Sequence, residues 1–203
     1  IARIAVAGQP AHRVGHSMGG GVAQKVALMR PDLVASLCLC EAMVPRLLMG
    51  AATGAERSAL REVEAVAARL TASVACGDPE GGMARFVDFW GGPGSWAHLG
   101  PVRRARAAEM AVDVMTDFAH CGGDPVTMAD LRALRVPVRL ISGSKSPAVT
   151  RRVTERLLAA LPDVVHVELA GADHMAPRSD PDRVNRLVLD HIHAVEATWS
   201  QAA

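Results

Sequence analysis

Apolar positions along the chain follow two rhythms. Short apolar runs stand at Ala11 to Val14, Leu33 to Cys40 and Val138 to Ile141, each bounded by Gly, Pro or charged residues. A fourth segment alternates Val165, Val167 and Leu169 with His166 and Glu168. Runs of this length and composition read as strands. Elsewhere apolar residues recur at helical spacing. Val22, Val26 and Met29 stand at i, i+4 and i+7 and predict the buried face of a first helix. Leu60, Val63, Ala67, Leu70 and Val74 mark a second, and Ala107, Met110, Val114 and Phe118 a third. Val153, Leu157, Leu158 and Leu161 line a fourth, and Val184, Leu187, Val188, Ile192 and Val195 a last one. Stop and start signals agree with this division. Gln9-Pro10 breaks the apolar stretch 1–8, which reads as a helix end; Arg30-Pro31-Asp32 closes the first helix; Pro162 closes the fourth. Asp180 and Pro181 are placed as N-cap and first residue of the last helix. Between the second and third helices, Gly91-Gly92-Pro93-Gly94 marks a turn flanked by Trp90 and Trp96.

Strand, helix, strand at the start and strand, helix, strand, helix at the end predict an α/β fold: a parallel sheet with flanking helices. The segment 45–134 carries no strand pattern and is expected to be a helical lid inserted within a single domain spanning 1–203. Composition narrows the classes. The chain has 203 residues, half of them hydrophobic, and a formal charge of +1. That supports one packed core and gives no reason to expect nucleic acid or an anionic membrane as partner. No apolar run approaches the ~20 residues of a membrane span, and no signal-peptide pattern opens the chain. The cysteines Cys38, Cys40, Cys76 and Cys121 form no disulfide framework, and Cys38 and Cys40 read as small buried hydrophobes. A cytoplasmic location is expected.

The candidate chemistry begins at Gly15-His16-Ser17-Met18-Gly19, a G-x-S-x-G pattern running straight into the first helix. A serine on a sharp strand-to-helix turn projects its hydroxyl clear of the sheet, and the flanking glycines are expected to avoid collisions with that turn. The Met18 N–H opens the helix and is the candidate oxyanion donor. In open parallel sheets reactive groups gather at the C-terminal ends of strands. Ser17 follows the first strand, Glu41 the second and His174 the last, so the order along the chain is Ser, acid, His. Ser17 is the candidate nucleophile, His174 the base that serves it, and Glu41 the acid that orients His174.

These pieces give the chain a resemblance to the α/β-hydrolase-fold superfamily, in its broad serine-esterase and haloalkane-dehalogenase-like group. Gly15 to Gly20, the strand ending Leu39-Cys40-Glu41, the segment Pro137 to Pro147 and Gly171-Ala172-Asp173-His174-Met175 carry the likeness. The group's usual acid follows the strand that here is Val138 to Ile141, where this chain has Ser142-Gly143-Ser144-Lys145-Ser146 and no carboxylate. A subset of the group places its acid one strand after the nucleophile, the position of Glu41. Asp117, Asp124 and Asp173 are weaker candidates. Ser17 stands where the dehalogenases carry an aspartate, which disfavours dehalogenation. The resemblance also implies several strands, and a second oxyanion donor, ahead of the elbow. The expectation is therefore an N-terminally truncated form of a longer hydrolase.

The resemblance implies hydrolysis of a small carboxylic ester or related acyl bond through an acyl-enzyme, with no metal or organic cofactor. Lactone opening, carbon–carbon bond hydrolysis and perhydrolysis use the same residues. Met43, Leu47, Leu48, Met49 and Trp90 suggest an apolar acyl pocket. The partner expected is a small apolar acyl substrate, with a homo-oligomer left open. Arg103, Arg104 and Arg106 read as a solvated face, His16 as a residue that packs or hydrogen-bonds locally, and His191 as a satisfied core residue. Two other readings stand beside this one. Gly15, Gly19 and Gly21 followed by Glu41 fit a dinucleotide-binding unit, but the tyrosine that short-chain dehydrogenases use is missing, for the chain has none. The fold can also persist as a non-catalytic binding module or inactive relic.

Overall fold

The computed structural model describes residues 9–49, 53–120 and 126–202, so the stretch 1–8, Cys121 and Asp124 lie outside the described residues. Four parallel strands lie side by side in chain order: β1 (Ala11–His16), β2 (Val34–Cys40), β3 (Val138–Gly143) and β4 (Val164–Leu169). Helix α1 (Met18–Met29) connects β1 to β2. Five helices, α2 (Gly54–Ala75), α3 (Pro79–Gly91), α4 (Pro101–Glu109), α5 (Ala111–His120) and α6 (Met128–Ala133), fill the connection from β2 to β3. Helix α7 (Ala148–Ala160) joins β3 to β4, and α8 (Ala176–Ser179) and α9 (Pro181–Ala202) follow β4.

All seven residues of β2 are buried, as a central parallel strand covered on both faces requires. Its pleat divides the core. Leu37 and Leu39, with Val138 and Leu140 of β3, pack under Ala23 and Ala27 of α1 and Val149, Val153 and Leu157 of α7. Cys38 and Cys40, with Ile141 and Leu169, pack under Val184 of α9. Burial pushes the two thiols up to about 11 and about 12, so they are inert hydrophobes here. The outer strands are less covered: Val14 of β1 and Val165 of β4 are exposed.

The first helix differs from its expected face. Val22 and Met29 are exposed, and the inner face is made by Gly20, Ala23, Gln24 and Ala27. The cause is close approach. A Cβ on Gly20 would lie 2.6 Å from the Ala42 Cβ, so only small residues fit between α1 and the chain leaving β2. Gly20→Ala is expected to cost about 1–3 kcal/mol by overpacking. Gly19→Ala, facing open space, is expected to gain up to ~0.5–1 kcal/mol through helix propensity. Urea midpoints of the two variants check this pair, and a stabilised Gly20→Ala would contradict the packing.

The inserted helices also depart in detail. The stretch expected as one helix around Met110 is two. Met110 closes α4 onto the Ala107 and Ala108 carbonyls, and fully buried Ala111 pins the junction beside Leu70 and Met83. Helix α3 was not marked by an apolar stripe; its start is fixed by Asp78, whose carboxylate accepts from the Gly81 N–H, and by Pro79 at the first position. Helix α2 begins in a reciprocal cap between Thr53 and Glu56. Glu56 is also clamped by the Arg156 guanidinium at 2.6 and 2.9 Å, tying α2 to α7. That pairing holds the Glu56 carboxyl down at about 2. No helix among the described residues is long and apolar enough to cross a membrane.

Candidate active site

Ser17 sits between β1 and α1 with φ 54°, a left-handed conformation that a non-glycine residue holds only under constraint. The constraint is visible. Its N–H donates to the Cys40 carbonyl at 3.1 Å, and its own carbonyl accepts from Gly20 and Met43 at 2.9 Å each. Gly15 is needed here because a Cβ would fall 2.5 Å from the Gly19 carbonyl oxygen. Gly19 itself faces open space, so the collision expected on both sides of the serine exists on one.

Glu41 leaves the end of β2, also with positive φ, at 50°. It is 1% exposed, which excludes a solvated loop carboxylate. Its Oε1 accepts the Gly143 N–H at 2.5 Å, from the end of β3, and its Oε2 lies 3.1 Å from His174 Nδ1. His174 Nε2 lies 3.0 Å from Ser17 Oγ. The fold thus brings together the serine, histidine and acid that the sequence singles out, in one hydrogen-bonded line. Of the weaker acids, Asp117 is exposed on α5, and Asp173 turns its Oδ1 to the Met175 N–H. The loop after β3, lacking a carboxylate of its own, instead contributes the Gly143 N–H that holds Glu41. Met18 is the first residue of α1.

Two contacts of His174 lay beyond sequence reasoning. His16 Nε2 donates to the His174 carbonyl at 2.8 Å, with the rings 5.0 Å apart. The residue before the serine therefore braces the loop that carries the histidine, 158 positions away. From above, the Trp90 indole of α3 lies 4.4 Å from the His174 ring, centroid to centroid, and both side chains are buried. Beyond Trp90 opens a cavity of about 760 Å³ among α3, α4, α5 and α8. Of the residues expected to form an acyl pocket, only Trp90 lines it. Met43, Leu47 and Leu48 are core, and Met49 is exposed. Arg103 and Arg106 are exposed, as expected of a solvated face, and also line this cavity, whereas half-buried Arg104 is tied to the Trp96 and Ala97 carbonyls.

Burial lowers the pKa of His16 below its ordinary 6.5, and burial together with the Arg139 charge does the same for His191. His191 is buried as expected, but its Nε2 has no hydrogen-bond partner among the described residues. Both imidazoles are held neutral. The unfolded chain takes up their protons near pH 6.5 and the folded chain resists, so this stability is complete above that pH and is lost as pH falls below it. The midpoint of thermal unfolding is expected to fall between pH 7.5 and pH 5. His16→Gln, which keeps a donor for the His174 carbonyl, should flatten that slope; a slope unchanged in this variant would remove His16 from the account.

The sequence model of the alpha/beta hydrolase family matches residues 2–187, and the chain belongs to that family. Among solved structures, a hydrolase from Pseudomonas aeruginosa PA01 superimposes with a TM-score of 0.69 at 22% identity, covering 93% of this chain and 66% of its own. The 2-hydroxy-6-oxo-6-phenylhexa-2,4-dienoate hydrolase of Rhodococcus sp. strain RHA1 gives 0.65 at 19% identity, covering 91% and 64%. The naproxen esterase of Bacillus subtilis gives 0.65 at 19% identity, covering 91% and 60%. The chain therefore spans about two thirds or less of the length of these structures. No curated protein matches it.

Proposed function

We propose that this hydrolase-family chain carries a serine-hydrolase site acting on a small carboxylic ester or related acyl bond. The observation that supports the reading is the unbroken line from Ser17 Oγ through His174 to Glu41, at 3.0 and 3.1 Å. Ser17 attacks the carbonyl carbon as His174 Nε2 takes the hydroxyl proton. Glu41 holds the proton on Nδ1 and balances the imidazolium that forms. The Met18 N–H is the proposed oxyanion donor. Collapse of the tetrahedral adduct expels the alcohol, which receives its proton from His174. Water then enters by the same route and releases the acid. An ester is the bond this machinery cleaves with least further help, and a carboxylesterase stands among the fold neighbours.

Fluorophosphonate labelling read by peptide mass spectrometry tests the proposal directly. An adduct on Ser17, lost in Ser17→Ala, is the expected result. A folded protein that takes no label is not an active serine hydrolase, and the reading as a non-catalytic binding module would replace this one.

A further inference from the structure

The cavity beyond Trp90 has a two-part chemistry. Its wall is largely apolar, formed by Met83, Phe86 and Val87 of α3 with Leu99, Val114 and the exposed Met110. Its rim carries three arginines. Arg103 and Arg106 stand three residues apart on α4 and so share a helix face, Arg178 lies on α8, and all three are exposed. Among the described residues none of the three guanidiniums has a hydrogen-bond or ion-pair partner, unlike Arg104 beside them, which is held by two carbonyls. One carboxylate, Asp173, also lines the cavity, with its Oδ1 engaged by the Met175 N–H, so the rim keeps a net positive charge. At about 760 Å³ the space suits a small molecule rather than a macromolecule.

We infer that this cavity binds a carboxylate-bearing amphiphile, its aliphatic chain against α3 and α5 and its carboxylate between Arg103, Arg106 and Arg178. Guanidinium forks match a carboxylate in charge and geometry, and three of them without a counter-ion among the described residues define where the anionic end of a ligand sits. The inner end of such a ligand meets Trp90, whose ring lies on His174. Ser17 and His174 do not themselves line the cavity; taken with the proposed hydrolase reading, on which this part rests, an ester whose acyl chain ends in a carboxylate is the substrate class that spans from the arginines past Trp90 to Ser17.

The binding half is tested without catalysis, using octanoate and its neutral isostere octanamide as probes and titrating by calorimetry. Octanoate is expected to bind about tenfold more tightly at low salt, with the gap shrinking toward unity at high salt. The triple variant Arg103→Gln, Arg106→Gln, Arg178→Gln should lose the preference while still binding octanamide; Arg186→Gln, an exposed arginine outside the cavity, should keep it. Equal affinities for the two probes, no octanoate binding at ~10 mM, or a preference that survives the triple variant would each overturn the inference. In the kinetic arm, the 4-nitrophenyl monoester of suberic acid should be cleaved with higher kcat/KM than 4-nitrophenyl octanoate. Octanoate preference without any ester turnover sinks the hydrolase reading and leaves the binding site standing. Turnover of neutral esters with no octanoate preference does the reverse.

Discussion

His174→Ala is expected to lower kcat/KM on an activated ester by about 10⁴–10⁶ and to abolish fluorophosphonate labelling of Ser17. The size follows from the site's construction. A serine hydroxyl is a poor nucleophile at neutral pH, and among the described residues Nε2 of His174, 3.0 Å away, is the one imidazole nitrogen hydrogen-bonded to Ser17 Oγ. His16, the residue before the serine, spends its Nε2 on the His174 carbonyl and cannot substitute. The variant also removes the partner of a buried carboxylate. Glu41 keeps the Gly143 N–H but loses Nδ1, so a stability loss of about 1–3 kcal/mol should accompany the kinetic one. Circular dichroism and urea unfolding separate the two effects: a folded variant at concentrations where more than 99% is native, yet within tenfold of wild-type activity, would dismiss His174 as the base.

Glu41→Gln should cost about 10³–10⁴ in kcat/KM with little change in stability. The side chain keeps its size, and its carbonyl oxygen can still accept the Gly143 N–H. That leaves the amide NH₂ facing His174 Nδ1. Two donors cannot share that contact, so Nδ1 must give up its proton and Nε2 must carry one. An imidazole with a proton on Nε2 cannot take the proton of Ser17. The variant thus alters the tautomer and leaves the packing alone, which a kcat/KM measurement beside a thermal melt resolves. Activity within fivefold of wild type would show that another acid serves His174, against the engagement of Asp173 with the Met175 N–H.

The residues of this line were legible because each signal is local. The elbow is five consecutive residues, Glu41 ends an apolar run, and His174 follows another strand in a glycine-led loop. The alternation of strands with helices, and with it a parallel sheet, was legible for the same reason, whereas the order of the strands came from the structure. Contacts made across the chain were not. The brace from His16 to His174 carries no pattern of its own, because a histidine beside a serine looks the same whether it packs locally or reaches 158 residues away. The face of α1 was misread because apolar size is a poor guide where backbone approach is closest: Gly20, Ala23 and Ala27 go inside and Val22 goes out. Helix α3 escaped because its glycines and scattered apolar residues weaken the periodicity, while Asp78 and Pro79 mark its start. Arg103 and Arg106 read as solvated and are exposed, but sequence shows only the charge on a helix and not the cavity beside it.

The five helices between β2 and β3 have a consequence for how the molecule comes together. They separate Cys40 from Val138, neighbours in the sheet through Ile141, by nearly a hundred positions. Closing a span of that length costs roughly 4 kcal/mol in chain entropy, about 1.5 kcal/mol more than the crossovers of about twenty residues on either side. Ser17 and Glu41 belong to the half before the gap, Gly143 and His174 to the half after it. Each half can pair its own two strands quickly, but neither contains a working set of groups. Assembly of the proposed site is therefore a property of the longest-range strand pairing among the described residues, and during refolding it is expected to follow the helical signal, at the pace of that one closure.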